Sequence, residues 1–388
     1  MHLGTVDEAR HPTIAVNLSH ASFVANPALK QAVLALRQGD RVQVQNPPSW
    51  LPPDTIDQLI LGAEETITHF EHRLTFTCAP ASPYTVGVLD STATRLDTPG
   101  SELLSEVSSG ATSLVVVPSA GESTLWTTDA AEAPWDIRVG GEVMRVTAVS
   151  PWLSDTFNRT VSNGWGSADT GQAWSTGGGT AADYAVSGGV GSHTLATVNA
   201  SRRSFTEVVF TDFDAYADIA SSALATGGFL SGGLTGRYVD SDNLYTARLE
   251  FTTTNSLILT IRKRVGGTET SLGSYTLPDT YVAGTYYRVR FQARGASLLA
   301  KAWAATDLVE MPNWQVSVTD GSITTTTYAG VRSISSSSNT NVNPQIRYQN
   351  ARVINPQTFT VTRSINGVVK AHSAGADVRL ANPTILAL

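Results

Sequence analysis

The sequence predicts a mainly β protein, in which small α+β and β domains are interrupted by an inserted antiparallel β-sandwich. Short segments with alternating apolar and polar residues recur along most of the chain, which is the pattern of half-buried strands. Charged residues make up only 15% of the 388 residues, and Ser, Thr and Gly take their place, as is typical of β proteins with many turns. One alternating segment stops at Ser150, and a segment that can complete it begins only after residue 354.

Residues 1–96 predict an α+β domain. The strand TIAVNLS precedes the helix NPALKQAVLALRQGD, in which Asn26 is the N-cap and Pro27 takes the first helical position. A short strand at RVQVQ, a Pro-rich turn at NPPSWLPPD and two strands that part near His69–Glu71 complete the domain. The apolar side of the helix is expected to comprise Leu29, Val33, Leu34 and Leu36.

A second, small β domain is predicted from residues 97–151. Within WDIRVGGEVMRVTAVS, Gly140-Gly141 indicates a two-residue hairpin turn. Beyond that turn, Met144, Val146 and Ala148 are expected to share one face of a strand because side chains alternate along it. This strand needs a partner that the neighbouring sequence does not supply.

The tail, residues 354–388, is predicted to supply that partner. Phe359 and Val361 alternate with threonines, and Asn366-Gly367 is a hairpin-turn signal. The tail is shorter than the ~40 residues below which isolated domains rarely fold, so it is expected to continue the strand from Ser150 through a turn at Asn355-Pro356. The alternative is three domains in series with a floppy tail.

Residues 152–353 then form a whole domain inserted at that turn, since loop tips tolerate insertions. The segment TYYRVRFQAR is the clearest strand, with Tyr287, Val289, Phe291 and Ala293 on one face. Gly266-Gly267 marks a hairpin, and Pro344 precedes a last strand. Short strands at this spacing predict a sandwich or jelly roll.

Composition excludes several classes of protein. The net charge is −7 and no block of Lys or Arg occurs, so a nucleic-acid partner is not expected. Cys78 is the only cysteine, which excludes an intrachain disulfide. No apolar run reaches the ~18 residues that span a bilayer, and the N-terminus has no apolar signal region. We therefore expect synthesis in the cytoplasm without a signal peptide, and no membrane insertion.

Both flanks of the insert resemble a minor tail protein of tailed phages and prophages of actinobacteria, especially of Streptomyces-like hosts. The stretches GDRVQVQNPPSWLPPDTIDQLILGAEETITHFEHRLTFTCAPASPYTVGVLD, LWTTDAAEAPWDIRVGGEVMRVTAVS and PQTFTVTRSINGVVKAHSAGADVRLANPTILAL carry the resemblance, which covers about 1–150 and 355–388. It implies a virion protein with a tail-hub-like attachment domain at residues 1–96, other tail proteins as partners and a homo-oligomeric arrangement.

The insert resembles concanavalin-like jelly rolls of the LamG type. The residues behind this are DTFNRTVSNGWGSADTGQAW at 155–174 and GRYVDSDNLYTARLEF at 236–251. Such domains are often glycan-binding modules, sometimes with a structural calcium, and the resemblance implies a host cell-wall glycan as ligand. The fold hosts many functions, so the resemblance does not specify the ligand.

Aromatic side chains are the candidates for glycan binding because sugar C–H faces stack on flat rings. Core packing is the alternative, and it is favoured for Trp174, Tyr245 and also Trp303. For Trp165 and Trp314, which flank turn residues, the sequence leaves both readings open. The candidate residues are Trp165, Trp314, Tyr238, Tyr245 and Trp174.

Asp155, Asp240 and Asp242 suggest a calcium site, because calcium prefers clustered carboxylate and carbonyl oxygens. The alternative is ordinary turn chemistry, in which Asp and Asn bond their own backbone.

No catalytic residue is predicted. The chain has no HExxH, GxSxG or P-loop, and it lacks the paired-acid E-x-D-x-x-E signature of concanavalin-like glycosidases. Asp212, Asp214 and Asp218 come closest to a pair of catalytic acids, but strand-end acids are the expected reading. The favoured function is a non-enzymatic tail-tip or baseplate component whose jelly roll adheres to the host surface. The alternatives are a polysaccharide depolymerase and a purely structural decoration or oligomerisation module.

Overall fold

The computed structural model describes residues 11–45, 47, 56–81, 95, 100–120, 122, 125–307, 309–381 and 383. The chain forms two compact units: the first comprises Met1–Val149 and Phe359–Leu388, and the second is Ser150–Thr358. The second unit begins two residues before the predicted insert and ends five residues after it. The predicted boundary between residues 96 and 97 and most of the Pro-rich turn lie outside the described residues.

The N-terminal part of the first unit is a four-stranded antiparallel sheet in the order β1-β4-β3-β2. The predicted helix cap is confirmed, because Asn26 Oδ1 accepts a hydrogen bond from the Leu29 amide at 3.1 Å and Pro27 is the first helical residue. Its elements are β1 (Thr13–Asn17), α1 (Ala21–Val24), α2 (Pro27–Ala35), β2 (Arg41–Val44), β3 (Ile56–Ile67) and β4 (His72–Pro80).

The expectation for one residue of α2 is wrong. Val33, Leu34 and Leu36 pack against the core formed by Leu18, Ile60, Leu74, Phe76 and Cys78, but Leu29 is 45% exposed. Only the last turn of the helix and the residue after it reach this core, so the first turn stays in solvent.

The rest of the first unit is built from short strands and from parts of two longer strands, β8 and β23. β7 and β8 form the predicted hairpin, with Gly140 and Gly141 at φ of +49° and +90°, a conformation that favours glycine. β24 pairs with β7, and β6 pairs with β5 and β23. The strands are β5 (Ser101–Leu103), β6 (Ser113–Pro118), β7 (Trp135–Val139), β8 (Glu142–Asp155), β23 (Gln345–Thr362) and β24 (Val378–Leu380).

The returning tail packs where the sequence places it. Phe359 and Val361 lie in the same buried cluster as Met144 and Val146. Arg363 reinforces this closure, because its Nε and Nη2 donate to the buried carboxylate of Glu142 at 2.8 and 2.7 Å. Residues more than 200 positions apart in sequence therefore share one core.

Three local expectations for this region are corrected. Ala148 is exposed rather than buried. Thr147 and Ala148 are exposed in succession, so the alternation shifts by one residue and Val149 is the next buried side chain. Asn355-Pro356 is not a turn, because it lies inside β23. The pairing of β23 with β14 (Phe213–Ser221) shifts its register next to Asn355. Asn366 lies in a turn, but among the described residues no strand follows before β24. Its Oδ1 accepts a hydrogen bond from the Val143 amide, and its Nδ2 donates one to the Gly141 carbonyl.

The second unit contains a seven-stranded antiparallel sheet in the order β10-β13-β22-β15-β16-β17-β18. The predicted hairpin at Gly266-Gly267 is confirmed between β17 and β18, with φ of +55° and +82°. Its strands are β10 (Ser175–Gly177), β13 (Arg202–Glu207), β15 (Leu230–Asp240), β16 (Asn243–Phe251), β17 (Ser256–Val265), β18 (Thr268–Thr280) and β22 (Tyr328–Ser335).

The other sheet of this unit follows the order β21-β20-β19-β14-β23-β12-β11-β9. In β19 the predicted inward residues Tyr287, Val289, Phe291 and Ala293 are all buried. Its further strands are β9 (Val161–Ser162), β11 (Tyr184–Ser187), β12 (Val190–Thr194), β19 (Tyr287–Arg294), β20 (Ser297–Ala304) and β21 (Val316–Thr319).

Two antiparallel sheets with alternating inward residues confirm the predicted fold class, a mainly β protein with a β-sandwich. Among the described residues, no helix is long and apolar enough to cross a membrane.

Candidate functional site

A polar groove of about 750 Å³ crosses the outer face of the seven-stranded sheet. Its walls carry five guanidinium groups and three carboxylates, and we call it the arginine groove. Its charged residues are Arg203, Arg248, Arg262, Arg264, Arg332, Asp242, Glu250 and Glu269.

Strand register places these side chains on one face. Arg203 in β13 lies opposite Arg332 in β22, and residue 233 in β15 lies between Arg332 and Arg248 in β16. Residues directly opposite in neighbouring strands point to the same side of a sheet, while Leu234, Val331 and Leu249 at the alternate positions point inward and are buried.

Gly233 keeps the floor of this row free of a side chain. A Cβ at this position would lie 2.3 Å from the Ala247 carbonyl oxygen and 2.8 Å from the Arg248 Cα, both of them backbone atoms. Only glycine fits here without moving the neighbouring strand, so Arg332 and Arg248 face each other with no side chain between them.

Glu269 ties three of the arginines together. Its Oε1 accepts from Arg248 Nη1 at 2.9 Å and from Arg262 Nε at 2.7 Å. Its Oε2 accepts from Arg332 Nη1 at 2.7 Å. Arg248 also bonds Glu250, and Arg264 Nη2 bonds Asp242 Oδ1 at 3.0 Å.

The charges of this network are fixed near neutral pH. Burial alone would raise the pKa of Glu269, but the guanidinium groups of Arg332, Arg248 and Arg262 hold that pKa at about 2. Burial lowers the pKa of Arg248, although an arginine stays protonated in proteins. Five positive and three negative groups leave the groove with a net charge of +2.

Several guanidinium nitrogens remain uncommitted. Among the described residues, no hydrogen bond uses Nη1 or Nη2 of Arg262, whose side chain is 22% exposed. The buried Nε atoms of Arg203, Arg248 and Arg332 also lack partners within the described ranges. The groove therefore offers partly exposed N–H donors above a buried floor of paired charges.

Aromatic rings border these donors. The Arg248 guanidinium lies 5.1 Å from the centroid of the Phe229 ring, which lines the groove and is half-buried. Phe205, two residues from Arg203 on the same strand face, packs on Tyr238 and Tyr328 with ring centroids 5.1 and 4.8 Å apart. Of the aromatic candidates, Tyr238 is therefore on this face, although only 4% of it is exposed.

Trp165, Trp174 and Tyr245 lie in the core. Trp165 has no exposed surface and packs in a cluster with Phe157 and Trp174, so the expectation that it offers a sugar-stacking face is corrected. Its Gly-rich surroundings suggested exposure, but the ring is drawn inward by this cluster and by the Ser192 carbonyl that its Nε1 bonds at 3.2 Å. Tyr245 is equally buried, and its hydroxyl bonds Asp320.

Trp314 is half-buried and is not among the residues of the groove. Two cations cover its ring, with Lys301 Nζ 4.7 Å and the Arg290 guanidinium 5.5 Å from the centroid. Trp303 is buried beside Lys301.

The calcium expectation does not fit the structure. Asp155 is fully buried, and its two oxygens accept from Arg159 at 2.7 and 2.8 Å, so Arg159 already neutralises its charge. Asp240 accepts from the Asp242 amide and Asn243 Nδ2, which is turn chemistry. Within the described ranges, no three His, Cys, Asp or Glu residues come together in a way that could hold a metal ion.

The three acids that came closest to a catalytic pair are each held by an arginine. Asp212 pairs with Arg237 at 3.0 Å, Asp214 with Arg290 at 2.6 Å and Asp218 with Arg288 at 2.7 Å.

Sequence reasoning missed the arginine groove and Phe229. Arg248 lies between the inward Ala247 and Leu249 in TARLEF, so the direction of its side chain could be read from the pattern, but polar residues flank the other arginines on at least one side. Phe229 precedes the inward Leu230, so alternation places it outward. The pairing register that aligns four strands could not be read from any of these segments alone.

No protein-family profile matches the chain, and no curated protein matches it. Solved structures to which it is similar include a carbohydrate binding module, CBM66 from Bacillus subtilis, at 15% identity and a TM-score of 0.33, over 46% of this chain and 92% of that one. A glycosyl hydrolase family 16 protein from Mycobacterium smegmatis is similar at 12% identity and a TM-score of 0.35, over 52% and 100% of the two chains. A legume lectin-like domain from Entamoeba histolytica is similar at 10% and 0.32, over 46% and 88%. At such identities and TM-scores, the likenesses say nothing about ligand or activity.

Proposed function

We propose that the second unit binds carbohydrate in the arginine groove. The observation that carries the proposal is the open polar groove of about 750 Å³, which is lined both by the partly exposed guanidinium groups of Arg262 and Arg264 and by the half-buried Phe229 ring. Sugar hydroxyls accept hydrogen bonds from such donors, and the C–H face of a sugar ring packs on an aromatic side chain.

The carboxylates of the groove support binding rather than catalysis. A glycosidase needs one carboxyl group with a raised pKa to protonate the leaving oxygen. Glu269 is held ionised by three arginines, and Glu250 is paired with Arg248. The proposed function is therefore carbohydrate binding without catalysis.

For the whole chain, we propose a structural role in a phage tail tip or baseplate. The support is the resemblance of the flanks, 1–150 and 355–388, to minor tail proteins. The first unit attaches to other tail proteins, and the second binds a glycan of the host cell wall. Several copies on one virion raise the effective concentration of each further contact, so weak individual binding suffices.

Immunogold labelling of purified virions tests this placement. The proposal predicts label at the distal tail, and label confined to the heads contradicts it.

Carbohydrate binding is tested with the full chain by affinity electrophoresis in gels that contain host-wall polysaccharides. Phe229→Ala removes the aromatic face of the groove and is expected to weaken retardation at least threefold. Phe70→Ala is the matched control, because Phe70 is 93% exposed and lies in the first unit. If none of the polysaccharides retards the protein, carbohydrate binding is contradicted and a purely structural module is favoured.

A further inference from the structure

We infer that the ligand of the arginine groove is an acidic polysaccharide, whose carboxylate or phosphate groups pair with Arg262 and Arg264. This inference rests on the proposed carbohydrate binding and names the class of glycan.

The positive surplus of the groove is local, because the rest of the second unit carries the opposite balance of charge. Residues 150–358 contain fifteen Lys and Arg and fifteen Asp and Glu, so the unit is neutral as a whole. The groove alone holds five guanidinium groups against three carboxylates. A neutral sugar would leave this surplus unmatched, whereas an anionic group would neutralise it.

The floor of the groove holds two buried arginines, and their charge is matched within the protein. Arg248 and Arg332 have side chains only 7% and 5% exposed, and their buried Nε atoms have no partner within the described residues. Glu269 and Glu250 balance these two charges, so the surplus lies on Arg203, Arg262 and Arg264, which face the single carboxylate of Asp242.

Arg262 and Arg264 are the groups that can reach the ligand. They are two residues apart on β17, so they point to the same face about 6.5 Å apart. Arg262 has both terminal nitrogens uncommitted among the described residues, and guanidinium groups bind carboxylate and phosphate oxygens with paired hydrogen bonds. The partner of Arg264, Asp242, is 54% exposed, and so exposed a pair contributes little and can be exchanged for a ligand anion.

A nucleic acid fits these observations less well than a polysaccharide. A nucleic-acid surface ordinarily carries a dense basic patch, whereas three carboxylates reduce the five arginines of the groove to a surplus of two. An acidic polysaccharide can place isolated charges in the groove and neutral sugar faces against Phe229.

The test is isothermal titration of the full chain with four probes: polygalacturonate, poly(glycerol phosphate), pullulan and a DNA duplex. We expect at least one acidic polymer to bind at least tenfold more tightly than pullulan. We also expect that binding to weaken at least tenfold between 0.05 and 0.5 M NaCl. Binding of polygalacturonate alone assigns the anion as carboxylate, and binding of poly(glycerol phosphate) alone assigns it as phosphate.

The double variant R262Q/R264Q is expected to weaken binding of the acidic polymer at least tenfold. The matched control R294Q/R352Q removes the same charge from β19 and β23 of the other sheet and is expected to stay within twofold of the wild type. If the groove variant unfolds at the assay temperature, Arg264→Gln alone, at a half-buried position, is expected to weaken binding at least threefold.

Tighter binding of pullulan, unchanged in R262Q/R264Q, would overturn the acidic ligand and leave carbohydrate binding intact. Binding of no polysaccharide would overturn both. A DNA duplex that binds more tightly than every polysaccharide would overturn the assignment to a glycan.

Discussion

At the scale of single residues, Glu269 organises the groove. It accepts hydrogen bonds from three arginines that would otherwise repel one another across the sheet face. Because its pKa is about 4.5 in the unfolded chain and about 2 in the fold, its ionised form stabilises the protein above about pH 4.5. That contribution is lost as the pH falls towards 2.

We expect Glu269→Gln to lower the free energy of unfolding by about 3 kcal/mol at pH 7, since the difference in pKa corresponds to an energy of this order. Urea unfolding at pH 7 and pH 3 measures it, and the variant should lose less stability than the wild type between the two pH values. Glu207→Gln, at an exposed residue, is the control. An equal loss of stability in wild type and variant would contradict the role of Glu269.

Asp155 shows how a residue can be recognised as important and still be misread. The sequence left calcium binding and turn chemistry open for its carboxylate. In the structure it accepts hydrogen bonds from the Phe157 amide at 2.9 Å, which is turn chemistry, and from Arg159 and the indole N–H of Trp174 at 2.7 Å. A buried carboxylate needs a partner for its charge, but a guanidinium group and a metal ion meet that need equally well. The choice between them depends on the fold of the loop that carries Arg159.

At the scale of elements, local signals predicted two hairpins and the helix cap, and alternation predicted the return of the tail, whereas the register between strands was not predicted. Gly140-Gly141 and Gly266-Gly267 predict their turns because a two-residue hairpin turn needs positive φ at both residues, and glycine adopts positive φ without strain. The exposure of Ala148 and the continuation of β23 through Asn355 depend on the partner strands, which these segments do not identify by themselves. The arginine groove was missed for the same reason, since it needs the register of four strands.

The return of β23 into the first unit makes Phe359 a test of the closed core. Phe359 is fully buried with Met144 and Val146, so Phe359→Ala leaves a cavity and is expected to cost about 3–5 kcal/mol. Denaturant unfolding followed by tryptophan fluorescence measures the loss. Val369→Ala, at a side chain 64% exposed, should stay within about 0.5 kcal/mol of the wild type. A similar small effect of Phe359→Ala would contradict a shared core.

At the scale of the whole molecule, the second unit has its own core and adjacent ends. Ser150 Oγ lies 3.5 Å from the Thr358 carbonyl oxygen, so the segment begins and ends at one place. Both features are expected of a domain inserted into another.

The excised segment 150–358 is therefore expected to fold alone. Circular dichroism should give a β spectrum and a single cooperative thermal transition. A spectrum of unfolded chain in native buffer would show that the segment depends on the rest of the protein.

The central claim is that the outer face of the seven-stranded sheet binds carbohydrate. Hydrogen–deuterium exchange of the full chain, with and without saturating polygalacturonate, locates the contact most directly. The account predicts slower exchange in β15 to β18 and β22, and none of that protection in the R262Q/R264Q variant. Protection confined to β19 and β20 of the other sheet, whose Arg290 and Lys301 cover the Trp314 ring, would contradict it.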